Sequence, residues 1–430
     1  MSLAAAVLLC GMAAAQGTVY GVAGLQSTRS ILRQLDAQQA VIYTTDGNSS
    51  AFCLADFSTM TLTHAELPSN ADVQDFEILN GLVYFCGIYA NHPYIGHFDI
   101  AQLFGGTGDY YFCGLFPAPT SGQITYPHKL DVFTAAGENH VVVVGESQSS
   151  AAAGLIPTTF VMDFVTNLNG TYISAQFVQD SGNVDHFDDV AVTDDYVVTI
   201  ENKTDGNAHY MRLYDRPVAA GQNIFSTSLW NTYYYSQGIY FPESDFLVRH
   251  LSGNTFATVC HTNSYGQHGA AYSVYDGSNL LFRYYTPQGT ALGTGWKLNE
   301  LSYNQYSQAL SLLQDMDLPS TGSLESAVCQ TDPANSTWAY HIDGMVLNSI
   351  CPWDTDGSMM TSGSNGLGEL MLWHQTASVG DCEAKEQLAA VSLPDGDQKS
   401  DTGYIPESIS HSYIQVAPFV TSYSIAVECQ

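Results

Sequence analysis

The chain has 430 residues, 45% of them hydrophobic and 12% aromatic, and only 12% charged; 11 basic against 42 acidic side chains give a formal net charge of −31. Nucleic-acid binding needs clustered Lys and Arg to neutralise phosphates, and the lysines, at Lys129, Lys203, Lys297, Lys385 and Lys399, supply no cluster. The same balance disfavours anionic polysaccharides and anionic lipid surfaces, and fits a neutral glycan, a cation or a protein partner with a basic face.

In chain order, residues 1–15 carry the features of an export signal. Leu3 to Leu9 is a short apolar run, and Ala13-Ala14-Ala15 closes it with a small-x-small pattern. The run is too short to span a bilayer, and no later segment has the length and apolarity of a transmembrane helix. Cys10 before Gly11 offers lipid attachment as an alternative, although Leu9 stands where a small residue is normally required. Residues 16–430 are then expected as a single domain, monomeric, and secreted, periplasmic or at the cell surface.

Ser30 to Gln38 is the one stretch with a weak helical period. Beyond it, short alternating or apolar runs are separated by Gly, Asn, Asp, Ser and Pro clusters, the signal of an all-β chain. The runs recur as hairpins whose second strand closes on an Asp. Ala40 to Tyr43 leads to Phe52 to Phe57, and Leu82 to Gly87 leads to Gly96 to Ile100. His140 to Gly145 leads to Thr159 to Phe164, Tyr196 to Ile200 to Tyr210 to Asp215, and Thr255 to Cys260 to Ala271 to Asp276. Weaker copies pair Ser326 to Cys329 with Trp338 to Asp343, and Leu370 to Trp373 with Ala389 to Leu393.

A further strand precedes several hairpins, at Phe76 to Ile78, Leu130 to Val132, Phe187 to Val190 and Phe246 to Val248. Four strands per unit and seven units predict a β-propeller of seven four-stranded blades, because radial repetition buries the sheet faces and leaves only short edges. Six or eight blades, or tandem β-sandwiches, are the alternatives. Tyr413 to Cys429 is expected to pair with the N-terminal unit and close the ring.

Eight cysteines remain after residue 15. Cys53, Cys86 and Cys260 lie in apolar strand patterns as small hydrophobes, leaving Cys382 and Cys429 as the best candidates for a bridge. The phrases Val83-Tyr84-Phe85-Cys86-Gly87, Phe52-Cys53-Leu54-Ala55-Asp56 and Gly96-His97-Phe98-Asp99 resemble secreted propeller-like proteins of gut Bacteroidetes. That resemblance implies an exported bacterial protein and supplies no activity.

Candidate chemistry gathers on the strands predicted to lie innermost. Asp75, Glu77, His128, Asp131, Asp185, His186, Asp189 and Asp245 are placed to converge on the central channel. A ring of carboxylates and imidazoles there could hydrogen-bond a ligand or hold Ca²⁺; alternatively, these groups cap strand ends and satisfy backbone between blades. Asp354 to Gly357 and Asp395 to Asp397 match fragments of calcium loops, but Asp-Gly is also a common turn dipeptide. Tyr233 to Tyr235, Tyr240, Phe241, Tyr284, Tyr285, Tyr303 and Tyr306 are candidate sugar-stacking or partner-anchoring rings. No nucleophile elbow and no phosphate loop occurs. The expectation is a binding scaffold for a glycan or protein, with a glycan-cleaving enzyme or a structural component of a surface assembly as alternatives.

Overall fold

The computed structural model describes residues 17–429 apart from 91, 116–122, 150–157, 181–184, 204–207, 227–228, 235–245, 265–266, 290–296, 318–323, 332–336, 354–357, 377–383, 389–390, 393–396, 402–406 and 409–410. Seven antiparallel sheets stand in a ring, and each blade runs outward from an innermost strand. Those innermost strands, blades 1 to 7, are Arg29–Gln34, Ala71–Leu79, Gln123–Ala135, Asp185–Val192, Phe246–Ser252, Lys297–Asn304 and Val346–Trp353. The chain is a seven-bladed β-propeller with four-stranded blades.

Among the described residues the core divides into seven hydrophobic clusters, one at each blade–blade interface. Second and third strands are therefore buried on both faces, and they read as near-continuous apolar runs. The interface of blades 1 and 2 centres on Phe52, whose ring lies 4.9–5.3 Å from those of Phe76, Phe85 and Phe98. The closing Asp of the sequence pattern has a local cause as well. Asp56 Oδ1 accepts from the Ser58 and Thr59 N–H groups, and Asp99 caps the five-residue helix Ile100–Phe104.

Ring closure differs in part from the sequence expectation: the last two strands do pair with the N-terminal unit, on Thr61–Glu66 of blade 1 and on Thr18–Gln26, but as outer strands. The fourth strand of blade 7 is Thr18–Gln26, from the N-terminus, paired with Glu369–Gln375. The C-terminal segment instead runs around the outside of the ring and adds a fifth strand to every blade. Ala384–Leu388 pairs on blade 6, Val391–Ser392 on blade 5, Asp397–Asp401 on blade 4 and Glu407–Ser408 on blade 3. His411–Val416, Val420–Ser424 and Ala426–Cys429 follow on blades 2, 1 and 7. This belt satisfies the outer edge of each blade and replaces it with strands of two to six residues, a short-edge defence against intermolecular pairing.

Three further expectations are corrected. The weakly helical Ser30 to Gln38 contributes the innermost strand of blade 1, because its polar positions face neighbouring blades at the axis. Val391–Ser392 belongs to blade 5 and not to the seventh unit. Ser326 to Asp343 spans the third and fourth strands of blade 6, whereas the earlier hairpins are second and third. Cys53, Cys86 and Cys260 are buried. Cys382, Asp245, Asp354 to Gly357, Tyr235 to Phe241 and residues 1–16 lie outside the described residues.

Candidate functional site: an axial channel with a charged waist

The innermost strands are not regular. Register shifts interrupt their pairing with the second strand at Val73/Asp75, Pro127/Lys129, Phe187/Asp189, Leu298/Glu300 and Leu347/Ser349. Each shift is a β-bulge, which re-aims the side chains around it. Glycine on the second strand makes three of them possible, one being Gly363, whose Cβ would stand 2.1 Å from the Val346 carbonyl oxygen. A Cβ on Gly87 would stand 2.0 Å from the Asp72 carbonyl oxygen, and one on Gly145 2.2 Å from that of Tyr126.

At four of the five, the residue after the bulge binds the next blade. Asp75 Oδ2 accepts from Leu130 N at 3.1 Å, Asp189 Oδ2 from Val248 N at 2.9 Å, and Glu300 Oε2 from Ile350 N at 2.8 Å. Ser349 Oγ accepts from Leu32 N at 3.0 Å, and one tier higher Asp131 Oδ2 accepts from Val192 N at 2.8 Å. These polar side chains stitch neighbouring innermost strands together, the role of satisfying backbone between blades.

They also build a waist that divides the channel. Arg33 is 6% exposed and donates to Glu77 at 2.6 Å, Glu300 at 2.7 Å and Asp75 at 2.9 Å. Three carboxylates from two other blades thus converge on one planar guanidinium, the geometry for which arginine is suited. Burial alone would lower the Arg33 pKa, but Glu77, Glu300 and Asp75 together hold it well above its ordinary value. Asp131 and Asp189 accept only backbone N–H donors in hydrogen bonds. Burial pushes each up to about 7, with Glu77 adding to the effect on Asp131 and Lys129 opposing it on Asp189. The void left at this level measures about 20 Å³.

A funnel opens on each side of the waist. The upper one, where the innermost strands end, has a volume of about 680 Å³. Glu77, Asp131 and Arg249 form its floor, and Phe133, Tyr303 and Tyr306 stand on its walls and rim. Arg216 lies 4.5 Å over the Phe133 ring and donates to the carbonyls of Thr134, Thr193 and Asp194, pinning two rim turns. The lower funnel, where the strands begin, has a volume of about 430 Å³ and is lined by His128, Lys129, Asp188, Asn299 and Asn348 among others.

Of the residues expected on the channel, Asp75, Glu77, Asp131 and Asp189 meet at the waist. His128 stands instead in the lower funnel, 3.9 Å from Glu146. Asp185 and His186 lie on the innermost strand of blade 4, opposite Lys203 and Asn202, with side chains outside the described residues. Among the described residues no cluster of three or more His, Cys, Asp or Glu has the geometry to hold a metal ion.

Sequence reasoning missed Arg33, Lys129, Arg249, Glu300 and Ser349. A usable signal existed in the scarcity of basic residues: six of the 11, Arg29, Arg33, Lys129, Arg216, Arg249 and Lys297, line the waist or its funnels.

No protein-family model matches the sequence, and no curated protein does. Among solved structures, that of the Dos1 propeller covers 83% of this chain and 94% of its own, at 12% identity and a TM-score of 0.43. A mutant of the Synechocystis apocarotenoid oxygenase covers 94% of this chain and 93% of its own, at 10% identity and a TM-score of 0.41. The likeness at these values is one of fold.

Proposed function

We propose that the chain is an exported ligand-binding propeller that takes a neutral glycan in its upper funnel. The observation that carries this is the composition of that funnel. Aromatic rings at Tyr303 and Tyr306 stand above a floor where Arg249 supplies donors and Glu77 and Asp131 supply acceptors. A sugar presents an apolar C–H face to a ring and hydroxyls that both donate and accept, so it matches both halves. Tyr306 is 56% exposed and free to stack. The signal-like residues 1–15 and the resemblance to secreted propeller-like proteins support a role outside the cytoplasm, and among the described residues no helix is long and apolar enough to cross a membrane.

A screen of neutral oligosaccharides followed by calorimetry tests the proposal. Tyr306→Ala and Arg249→Ala should each weaken the best ligand about tenfold, equivalent to ~1.4 kcal/mol. Binding that survives both variants unchanged would place the site elsewhere. A second reading, glycan cleavage, is favoured by one feature: Asp131, titrating at about 7, shares the floor with Glu77. A carboxyl group that can still carry a proton near neutral pH, beside a second carboxyl group, is what acid–base hydrolysis uses. Release of shorter sugars, abolished in Asp131→Asn, would establish it.

A further inference from the structure

We infer that the lower funnel is a second binding site, built for a small oxyanion such as a carboxylate or phosphate group. It is separated from the upper funnel by the Arg33 waist, so the inference does not rest on the glycan proposal. Each of its carboxylates already accepts a hydrogen bond. Both Glu300 oxygens are occupied, one by Arg33 and the other by Ser349 Oγ and Ile350 N. Asp188 accepts from Phe246 N and Asp315 from Ser326 Oγ.

The donors are not. Lys129 stands at the floor with no ion pair or hydrogen bond among the described residues, and neither Lys297 nor the Asn299 side chain has one on the wall. Asn348 accepts from Ser30 Oγ through Oδ1, leaving its amide N–H donors available to a ligand. Burial alone would lower the Lys129 pKa, but Asp75, Asp189 and Glu300 together raise it, so the ammonium stays charged. Those carboxylates offer it no hydrogen bond, because Arg33 and backbone N–H groups hold them at the waist. A cavity whose lysines and amide N–H groups have no partner among the described residues, and whose carboxylates already accept hydrogen bonds, selects a ligand made of acceptors.

The net charge of −31 does not forbid this. Exposed charges farther away than a Debye length, ~8 Å at physiological salt, are largely screened. Local donors then outweigh the general field. The arrangement also explains why two of only five lysines face the axis.

The test is calorimetric titration of the full chain with inorganic phosphate, citrate and glucuronate, separately, at physiological ionic strength. The expected result is saturable binding of at least one probe, with the order among them distinguishing a phosphate from a carboxylate ligand. Lys129→Met should weaken it about tenfold or more, and Asn299→Ala and Lys297→Ala, on the wall and tolerable to the fold, about threefold each. Tyr306→Ala, in the other funnel, should leave it unchanged. Absence of binding by all three probes up to about 10 mM would overturn the inference. So would equal affinity in wild type, Lys129→Met and Asn299→Ala.

Discussion

Replacing Arg33 by Ala is the most telling perturbation of the waist. The wild-type guanidinium holds Glu77, Glu300 and Asp75 at 2.6, 2.7 and 2.9 Å, with only 6% of the residue exposed. Truncation would leave three carboxylates from blades 2 and 6 facing one another without a counter-charge at the same depth. Breaking a buried pair by removing one partner costs ~3–5 kcal/mol, and three stranded acceptors put the expected loss in the upper half of that range. Urea unfolding followed by circular dichroism at pH 7.5 measures it. The same experiment at pH 5 should show a smaller loss, because the stranded carboxylates can then take up protons. Arg33→Lys should fall between the two, since an ammonium lacks the planar fork that serves three partners. A loss below ~1 kcal/mol in Arg33→Ala, the size of a surface ion pair, would refute a stabilising role for the waist.

Three other outcomes follow from the same geometry. Asp131 and Asp189 titrate at about 7 in the fold, above the ordinary 3.8, so the fold favours their protonated forms. Stability should therefore fall as pH rises through 7, by ~0.8 kcal/mol for each group between about pH 6.5 and 8.5. His64, His97 and His250, all lowered by burial, push the other way up to about pH 7.5, where unfolded histidines still bind protons, so the fall is read as the difference between the wild type and the Asp131→Asn and Asp189→Asn variants. A difference that does not change with pH in urea unfolding would contradict the assignment. Gly145→Ala should destabilise by ~1–3 kcal/mol, because its Cβ would meet the Tyr126 carbonyl oxygen, while Gly366→Ala, with open space around it, should be nearly neutral. Deleting residues 384–430 uncovers the outer edge of all seven blades and should drive aggregation, measured by light scattering; an unaggregated, equally stable truncation would show the belt to be dispensable.

Much of the ring was legible because the second and third strands of each blade are buried on both faces. Runs such as Val83 to Cys86 and Val141 to Val144 cannot be solvated loops, and their closing Asp marks the turn. The belt was hidden for the opposite reason. Asp397–Asp401 and Ala384–Leu388 are polar segments that join the sheets through backbone pairing, which leaves no hydrophobic period to find. Arg29–Gln34 looked weakly helical because its apolar residues sit between arginines that serve the axis. The carboxylates of the waist could be nominated from strand position alone. Their partners could not, since Arg33 and Lys129 are 96 positions apart in sequence and meet only through ring closure.

The claim that the upper funnel is the recognition site is tested most directly by a crystal structure with the tightest-binding neutral oligosaccharide soaked in. The predicted result is a sugar ring against Tyr306 or Tyr303, with hydroxyls within hydrogen-bond reach of Arg249 and Glu77. Sugar density confined to the outer belt or the blade faces, with the funnel unaltered, would contradict it.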